Sequence, residues 1–338
     1  MVATIILIIL CFAIAFGATA LLMPPIVVIL KTCRLFDRPV ARSTHKNAKL
    51  KGAGWAVIPV CLVLITSLMM AYQLPLSFYL LPASALLLML ISWQDDLCHM
   101  CPGKRFLVQV IVVGLAILAL PYQGYIFQGF LPIWLDRAIA FFALLWFTNL
   151  YNFMDGIDGL TAMQSIFLGA AIAFILMLTQ PMIDTIWPAY GMIIAGASAA
   201  FLVWNWYPAR IFIGDVGAVP LGLLLGWYLL FLACQGQIWP ACMLPLYYCF
   251  DATITLVRRL KQGHKPWEAH RFFFFQAPIP HKYSQEKVVL FVLLQNVFLL
   301  ICAVLVSMGS LFSEELPAIL AAGFSVLGLL SYFESKRQ

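Results

Sequence analysis

Long apolar runs, separated by short polar segments, follow one another along almost the whole chain. A helix needs about 20 apolar residues to cross a bilayer, and most of the runs have about that length. The pattern predicts an all-α, polytopic integral membrane protein with about eleven transmembrane helices in a single membrane-embedded domain over residues 1–338. The predicted spans are roughly residues 3–30, 55–72, 76–93, 106–121, 135–152, 160–179, 187–204, 217–234, 238–256, 288–308 and 315–333.

Composition strengthens the membrane interpretation and excludes a soluble globular enzyme. Of the 338 residues, 64% are hydrophobic and 10% are charged, whereas soluble domains are about 45–50% apolar and about 25% charged. The net charge of +6 does not indicate a nucleic-acid partner, because no basic stripe alternates with stacking aromatic residues in a polar domain. We therefore expect the chain to be surrounded by a lipid bilayer and to bind no nucleic acid.

The basic residues lie on one side of the predicted membrane. Apart from Arg137, every Lys and Arg falls in an odd-numbered connection between spans or in the C-terminal tail. Because Lys and Arg that flank spans stay in the cytoplasm, this asymmetry predicts a periplasmic N-terminus, a cytoplasmic C-terminus and cytoplasmic odd connections. The first apolar run is too long for a signal-peptide core, so we expect it to remain as the first helix.

Most acidic residues also fall on the predicted cytoplasmic side, where they form three motifs. Asp beside membrane helices is costly and usually faces a polar cavity. In the first motif, Asp95 and Asp96 close the third span, and Lys104 follows at the start of the next. Two adjacent carboxylates can hold a divalent cation or orient a phosphate nucleophile. A solvated span end is the structural alternative.

The second motif joins the fifth and sixth predicted spans almost without a loop. Residues 149–160 read Asn-Leu-Tyr-Asn-Phe-Met-Asp-Gly-Ile-Asp-Gly-Leu. Polar side chains recur at three-residue steps, at Asn149, Asn152, Asp155 and Asp158, and the glycines allow the backbone to approach a ligand closely. A cap at the N-terminus of the sixth span is the structural alternative for the last Asp-Gly pair.

The third motif, Phe-Ile-Gly-Asp-Val-Gly at residues 212–217, precedes the eighth predicted span. It places the carboxylate of Asp215 between glycines at a helix N-terminus. This arrangement suits a metal ligand whose partner phosphate meets the positive end of the helix dipole. By itself, a Gly-Asp-x-Gly sequence is more often a cap than a binding site.

A basic loop follows the ninth predicted span, and residues 267–271 within it read Trp-Glu-Ala-His-Arg. Arg271 suits a bidentate grip on a phosphate, whereas Arg258 and Arg259 at the end of the span also suit anchors at lipid headgroups. Four consecutive Phe residues, 272–275, would be costly in water. We therefore predict that this Phe run is an interfacial or re-entrant wedge.

In this order, the three motifs and the basic loop resemble the polyprenyl-phosphate N-acetylhexosamine-1-phosphate transferase family (glycosyltransferase family 4). The resemblance covers about residues 34–276, and the second motif is highly specific. Residues 251–259 and 267–271 are similar to the branch that starts O-antigen synthesis, and the three-histidine loop of the peptidoglycan branch is missing. Two positions depart from the pattern, with Phe273 where a second histidine is usual and Ala218 where a serine is usual.

The resemblance implies a multi-pass enzyme of the bacterial inner membrane. The implied substrates are undecaprenyl phosphate and a UDP-N-acetylhexosamine, with the choice between GlcNAc, FucNAc, QuiNAc and other sugars left open. The implied products are undecaprenyl-diphosphate-sugar and UMP, in the first membrane step of O-antigen or other cell-envelope polysaccharide synthesis. The implied cofactor is Mg²⁺, or Mn²⁺ in its place. A homodimer is also compatible with the resemblance, because relatives commonly dimerise.

The resemblance further implies roles for individual residues. Asp215 is the expected leading Mg²⁺ ligand, and Asp95, with Asp96 beside it, is expected to orient or deprotonate the lipid phosphate; all three are expected catalytic and metal-binding residues. Phe212 is expected to stack on uracil. The expected substrate-binding residues are Asn149, Asn152, Asp155, Asp158, Phe212, Lys104, His270 and Arg271.

Two other classes of protein stay open at this point. A polytopic transporter or lipid flippase would also have many spans, but transport requires coupling charges near the middle of the membrane, and nearly all the acids here lie at its cytoplasmic side. A non-catalytic membrane scaffold is suggested by Phe273 and Ala218. Against the scaffold, the carboxylates of all three motifs are present.

Overall fold

Twelve α-helices and a small three-stranded sheet make up the part of the chain that the computed structural model describes, namely residues 2–37, 48–98, 100–122, 124–180, 182–265, 272–281, 283–309 and 312–337. The helices are α1 Val2–Thr32, α2 Gly54–Ala71, α3 Leu80–Cys98, α4 Pro102–Leu118, α5 Ile133–Phe153, α6 Leu160–Thr179, α7 Ile186–Asn205, α8 Asp215–Cys234, α9 Ile238–Met243, α10 Leu246–Lys261, α11 Gln285–Met308 and α12 Phe312–Glu334. The strands are β1 Phe36–Asp37, β2 Lys49–Lys51 and β3 Ile211–Phe212.

Within the described residues, nine helical segments are long and apolar enough to cross a membrane. They coincide with nine of the predicted spans and confirm a multi-pass, mostly helical membrane protein. These segments are Thr4–Thr32, Gly54–Ala71, Leu76–Cys98, Ile133–Phe153, Leu160–Thr179, Ile186–Asn205, Asp215–Cys234, Gln285–Met308 and Glu315–Glu334.

The other two predicted spans take a different form, so the count of eleven is not confirmed. The span predicted at 106–121 corresponds to α4, which has 17 residues and carries two cations in its first turns. The span predicted at 238–256 is divided into α9 and α10, and Pro245 stands between them. Proline has no N–H to donate and interrupts the helical ladder, which accounts for this break. The side of the membrane on which each terminus lies stays a prediction.

Helix α8 forms the centre of the bundle and packs against α3 and α5. Its Trp227 is fully buried, and the indole Nε1 donates a hydrogen bond to the carbonyl of Ala116, 3.0 Å away. The hydroxyl of Tyr228 donates to the carbonyl of Trp187 at 2.7 Å. Indole and phenol groups in an apolar interior need such partners, because an unpaired polar group there is costly. On the outside of the bundle, α1, α11 and α12 expose large apolar side chains, as lipid-facing helices do.

Two glycines set the crossing of α2 and α8. A Cβ atom on Gly54 would fall on the backbone of Gly217, and a Cβ on Gly217 would lie 2.8 Å from the Cα of Gly54. Only glycine allows so close a backbone contact. Since β2 precedes α2 and β3 precedes α8, the crossing brings these strands together as a parallel pair, with Leu50 opposite Ile211 and Lys51 opposite Phe212.

Most of the Phe run at residues 272–275, predicted to be an interfacial or re-entrant wedge, is buried within the protein instead of exposed on its surface. Phe273, Phe274 and Phe275 are buried in the protein core, and only Phe272 is exposed. The backbone amides of Phe274 and Phe275 donate hydrogen bonds to a buried carboxylate on α10, so the chain turns inward at this point instead of entering the lipid.

Candidate active site

Three carboxylates from two of the predicted motifs share one network of ion pairs. Arg105 Nη1 lies 2.9 Å from Asp95 Oδ2 and 3.6 Å from Asp215 Oδ2. Lys51 Nζ lies 2.8 Å from Asp96 Oδ1 and 3.2 Å from Asp215 Oδ1. The side chains of Asp95, Asp96 and Asp215 are 16%, 17% and 27% exposed, so a ligand can reach them from solvent. We call these five residues the acid cluster.

The local folding of the chain holds each carboxylate in place. Asp95 lies near the end of α3, and its second oxygen accepts a hydrogen bond from the backbone amide of Met100 at 2.7 Å. Asp215 is the first residue of α8, where the helix dipole favours a negative charge. The preceding Gly214 has φ +72°, and a Cβ there would lie 3.0 Å from Cγ of Lys51. Glycine at this position therefore allows both the left-handed turn and the approach of the lysine.

Lys51 stays positively charged in this setting. Its burial lowers the pKa, but the negative charges of Asp215 and then Asp96 outweigh burial and raise the pKa above its ordinary value. One ammonium group is therefore shared by two carboxylates that come from different helices.

Asn152 and Asp155 extend the acid cluster along the second motif. The side chain of Asn152 lies close to Asp215. Asp155 accepts a hydrogen bond from Thr161 Oγ1 at 2.6 Å. Burial raises the pKa of Asp155 to about 6, an effect that the Thr161 hydrogen bond reduces in part. One turn earlier on α5, Asn149 Nδ2 donates to the carbonyl of Leu145 at 2.8 Å, so this side chain is bound to its own helix.

Asp158 has different surroundings from the other acids of the motif. Its side chain is 1% exposed, and its Oδ2 accepts hydrogen bonds from Lys49 Nζ at 2.9 Å and from the amide of Ala209 at 2.8 Å. Its own amide donates to Gln285 Oε1 at 2.7 Å. The N-cap of α6 is Gly159 and no side chain caps it, so Asp158 does not play the predicted capping role. Asp158 thus joins β2, the segment before β3 and the start of α11.

The remaining predicted residues are placed as follows. Phe212 ends β3, half-buried, with Lys49 Nζ 5.2 Å from its ring centroid. Lys104 is exposed and forms no ion pair within the described residues; its neighbour Arg105 belongs to the acid cluster instead. His270 and Arg271 lie outside the described residues.

Sequence reasoning missed Lys51 and Arg105 as parts of the site. Both lie in odd-numbered connections between predicted spans, and none of the sequence motifs assigns either of them a role. The three-residue Lys-Leu-Lys segment of β2 is too short to give a periodic signal, so the sequence offered no pattern that would have identified Lys51.

The donor set fits a hard cation such as Mg²⁺ if substrate oxygens complete its coordination. Within the described residues, no three His, Cys, Asp or Glu side chains come close enough together to hold a metal ion by themselves. Asp96 and Asp215 nevertheless both contact a single cation, the Lys51 ammonium. Mg²⁺ is usually bound through one or two carboxylates plus phosphates and water, which is the number of protein ligands that this pair offers.

Comparison with known proteins shows a similarity to one family of transferases. Residues 78–233 match the family model of Glycosyl transferase family 4. The phospho-N-acetylmuramoyl-pentapeptide-transferase of Chloroflexus aurantiacus is 29% identical over 175 residues, which cover 50% of this chain and 44% of the relative. The enzyme of that name from Chlamydia pneumoniae is 32% identical over 164 residues, covering 40% of this chain and 46% of the relative. The match thus spans less than half the length of these relatives.

The chain is therefore a multi-pass membrane protein whose central half is similar to phosphosugar transferases of this family. The region matched by the family model contains all the carboxylates of the three motifs. Lys51 precedes that region, and the loop with His270 and Arg271 follows it.

Proposed function

We propose that this protein is a member of glycosyltransferase family 4 and transfers a sugar 1-phosphate from a UDP-N-acetylhexosamine to undecaprenyl phosphate. The products are undecaprenyl-diphosphate-sugar and UMP, and the site faces the cytoplasm in a bacterial inner membrane. The observation that carries the proposal is the acid cluster, in which three carboxylates at the ends of α3 and α8 surround two cations.

The reaction needs positioning and neutralisation of charge more than covalent help from the protein. An oxygen of the lipid phosphate attacks the phosphorus of the sugar-linked phosphate, and the bond from that phosphorus to the oxygen of UMP breaks. A phosphate monoester has a second pKa of about 6 and is mostly a dianion at neutral pH. Asp95 therefore acts mainly by orienting the lipid phosphate, while Lys51 and Arg105 balance negative charge that the diphosphate brings.

Mg²⁺ is the proposed cofactor, with Asp215 as its leading ligand and Asp96 and Asp95 beside it. When bound, the ion supplies neutralisation of the diphosphate charge. Asn152 and Asp155 adjoin Asp215 and line the nucleotide side, and Phe212 offers the face for uracil. His270 and Arg271 bind the sugar diphosphate.

A UDP-N-acetylhexosamine is proposed as donor although the relatives are named for a muramoyl-pentapeptide substrate. The supporting observation is the loop at residues 267–271, which contains one histidine and not the three-histidine loop of the peptidoglycan branch. The proposed biological role is accordingly the start of O-antigen or a related lipopolysaccharide chain.

The test is UMP release by purified protein given undecaprenyl phosphate and a panel of donors, with and without Mg²⁺. The panel contains UDP-GlcNAc, UDP-FucNAc, UDP-QuiNAc and UDP-MurNAc-pentapeptide. UMP that depends on both lipid and metal, from one N-acetylhexosamine donor, is expected. UMP from the pentapeptide donor alone would overturn the donor assignment. No UMP from any donor, in protein shown to be folded, would overturn the proposal that the protein is a transferase.

A matched pair of variants ties the activity to the acid cluster. Asp215→Asn removes the charge of the proposed metal ligand and should abolish turnover in folded protein. Asp184→Asn makes the same change at an exposed acid between α6 and α7, at the other end of these helices, and should leave turnover unchanged. Substantial activity in Asp215→Asn would remove this residue from the metal site.

A further inference from the structure

Asp251 on α10 is a fully buried carboxylate outside the acid cluster that accepts four hydrogen bonds. Two come from its own helix, from Tyr247 Oη at 3.1 Å and from Thr255 Oγ1 at 3.4 Å. The other two come from the backbone amides of Phe274 at 2.9 Å and Phe275 at 3.0 Å. A buried charge is tolerated only where such donors satisfy it, so Asp251 and this turn depend on each other.

The same turn rests on the second motif of the candidate active site. A Cβ atom on Gly156 would lie 2.7 Å from Gln276 Nε2 and 3.0 Å from Cζ of Phe275. Gly156 directly follows Asp155, the acid whose pKa is raised to about 6 by burial. The turn at 274–276 is thus tied to α10 on one side and packed on the backbone beside Asp155 on the other.

Contacts from two further places support this turn. Arg337, after the end of α12, donates from Nη2 to the carbonyl of Phe272 at 2.8 Å and to that of Phe273 at 3.3 Å. The guanidinium of Arg258 lies 4.7 Å from the ring centroid of Phe274. Phe273, which replaces the histidine expected from the family pattern, is buried and stacks on Phe275 with 5.6 Å between ring centroids. This position therefore serves packing.

We propose that Asp251 is a positioning residue of the site, which holds the turn at 274–276 against Gly156. It thereby fixes the backbone that packs beside Asp155. Asp251 is too deeply buried to touch a substrate itself. The consequence for turnover rests on the proposed function, whereas the hydrogen-bond clamp does not.

The clamp is tested by hydrogen–deuterium exchange of the full chain in detergent, comparing wild type with Asp251→Asn. A carboxamide offers one acceptor oxygen where the carboxylate offers two, so at least one of the two turn amides loses its partner. We expect amides at 272–276 to exchange about tenfold faster, as loss of one hydrogen bond worth about 1.4 kcal/mol gives. Unchanged exchange at 272–276, or equally faster exchange throughout the bundle, would overturn the proposal.

Thr255→Val is the matched control. It removes the longest of the four hydrogen bonds, which comes from α10 itself, and leaves both turn amides bonded to Asp251. We expect exchange at 272–276 to stay as in wild type. If this control loosens the turn as much as Asp251→Asn does, general packing of α10 explains the effect and the positioning role is overturned.

Kinetics supply a second readout. Asp251 touches no substrate, and the turn packs beside Asp155, which the proposed function assigns to the nucleotide side. Asp251→Asn should therefore raise the donor KM about tenfold with a smaller change in kcat. Gly156→Ala pushes on the same turn from the opposite side, so its effect on KM should be non-additive with that of Asp251→Asn. Additive effects would overturn the proposal.

Failure of the transferase assay in wild type would concern the proposed function alone, since the exchange experiment is independent of turnover.

Discussion

Lys51 and Asp215 form an ion pair, with 3.2 Å between Nζ and Oδ1, although one ends β2 and the other begins α8. The parallel pairing of β2 with β3 places them together, because β3 leads through Gly214 directly into α8. Asp96 Oδ1 contacts the same ammonium group at 2.8 Å. The lysine therefore holds together two carboxylates that come from different helices.

Replacing Lys51 with methionine should make the protein depend on Mg²⁺ for stability. Without the ammonium, Asp96 and Asp215 face each other uncompensated, which should cost about 1–2 kcal/mol for these partly exposed groups. A divalent cation that binds the pair restores the lost attraction by mass action. We expect the Tm of Lys51→Met to be lower than that of wild type in EDTA and to recover on addition of MgCl₂.

Lys261→Met is the control for this measurement, because Lys261 is an exposed lysine at the end of α10. Its Tm should be close to that of wild type in both conditions. Equal effects of MgCl₂ on the Tm of wild type and Lys51→Met would contradict a cation site between Asp96 and Asp215.

Asp155→Asn should stabilise the protein at alkaline pH while it reduces turnover. The pKa of Asp155 is raised to about 6, chiefly by burial, from a model-peptide value of 3.8. The folded state therefore binds this proton more tightly than the unfolded state. This favourable contribution to stability is fully present below about pH 4 and is lost as the pH rises through about 6. Above about pH 6, the buried ionised carboxylate therefore lowers the free energy of unfolding.

The expected gain for Asp155→Asn at pH 8 is about 1–2 kcal/mol, after allowance for partial exposure of the group to solvent. The gain should shrink as the pH falls through about 6 towards the unfolded-state pKa. It is measured as the difference in Tm between variant and wild type across that range, with Asp184→Asn as the exposed control. A difference in Tm that does not vary with pH would contradict the raised pKa.

The sequence predicted the limits of α5 and α6 at the site closely, whereas the third span was predicted to end at residue 93 and α3 continues through Asp95 and Asp96 to Cys98. α5 ends at Phe153 and α6 begins at Leu160, close to the predicted limits of 152 and 160. Asp215 likewise begins α8 after a glycine that permits the turn. The cost of placing Asp in lipid makes such boundaries visible without any tertiary information.

The cations of the acid cluster could not be predicted in the same way. Strands of two and three residues carry no usable periodicity, so the pairing that brings Lys51 to Asp215 depends on the distant contact between Gly54 and Gly217. Lys104 and Arg105 are neighbours in sequence, but one residue turns a helix by about 100°, and only packing decides which one faces the acids. The division at Pro245 could not have been predicted from proline alone either, because α1, α2 and α8 contain prolines and continue past them.

Asp158→Asn should act on stability and not on donor binding. The carboxylate is almost completely buried and carries an ion pair to Lys49 and a hydrogen bond from the amide of Ala209. Loss of its charge leaves Lys49 without a counterion and should cost about 2–3 kcal/mol. We expect a lower Tm with an unchanged donor KM in the protein that remains folded. An unchanged Tm with a raised KM would return Asp158 to the substrate side of the site.

Gly54→Ala should separate β2 from β3 and so weaken the acid cluster from a distance. The new methyl group would fall on the backbone of Gly217, which cannot move as a flexible side chain would. Overpacking of this kind costs about 1–3 kcal/mol. Here the clash can be relieved only if α2 shifts away from α8, and that shift would move Lys51 away from Asp215. Gly323→Ala on α12, where no atom lies within 4 Å of the added Cβ, is the matched control and should keep or slightly raise the Tm. We expect Gly54→Ala to have a lower Tm than wild type and to lose turnover. If Gly54→Ala keeps the Tm and turnover of wild type, the close contact of α2 and α8 is not needed to form the site.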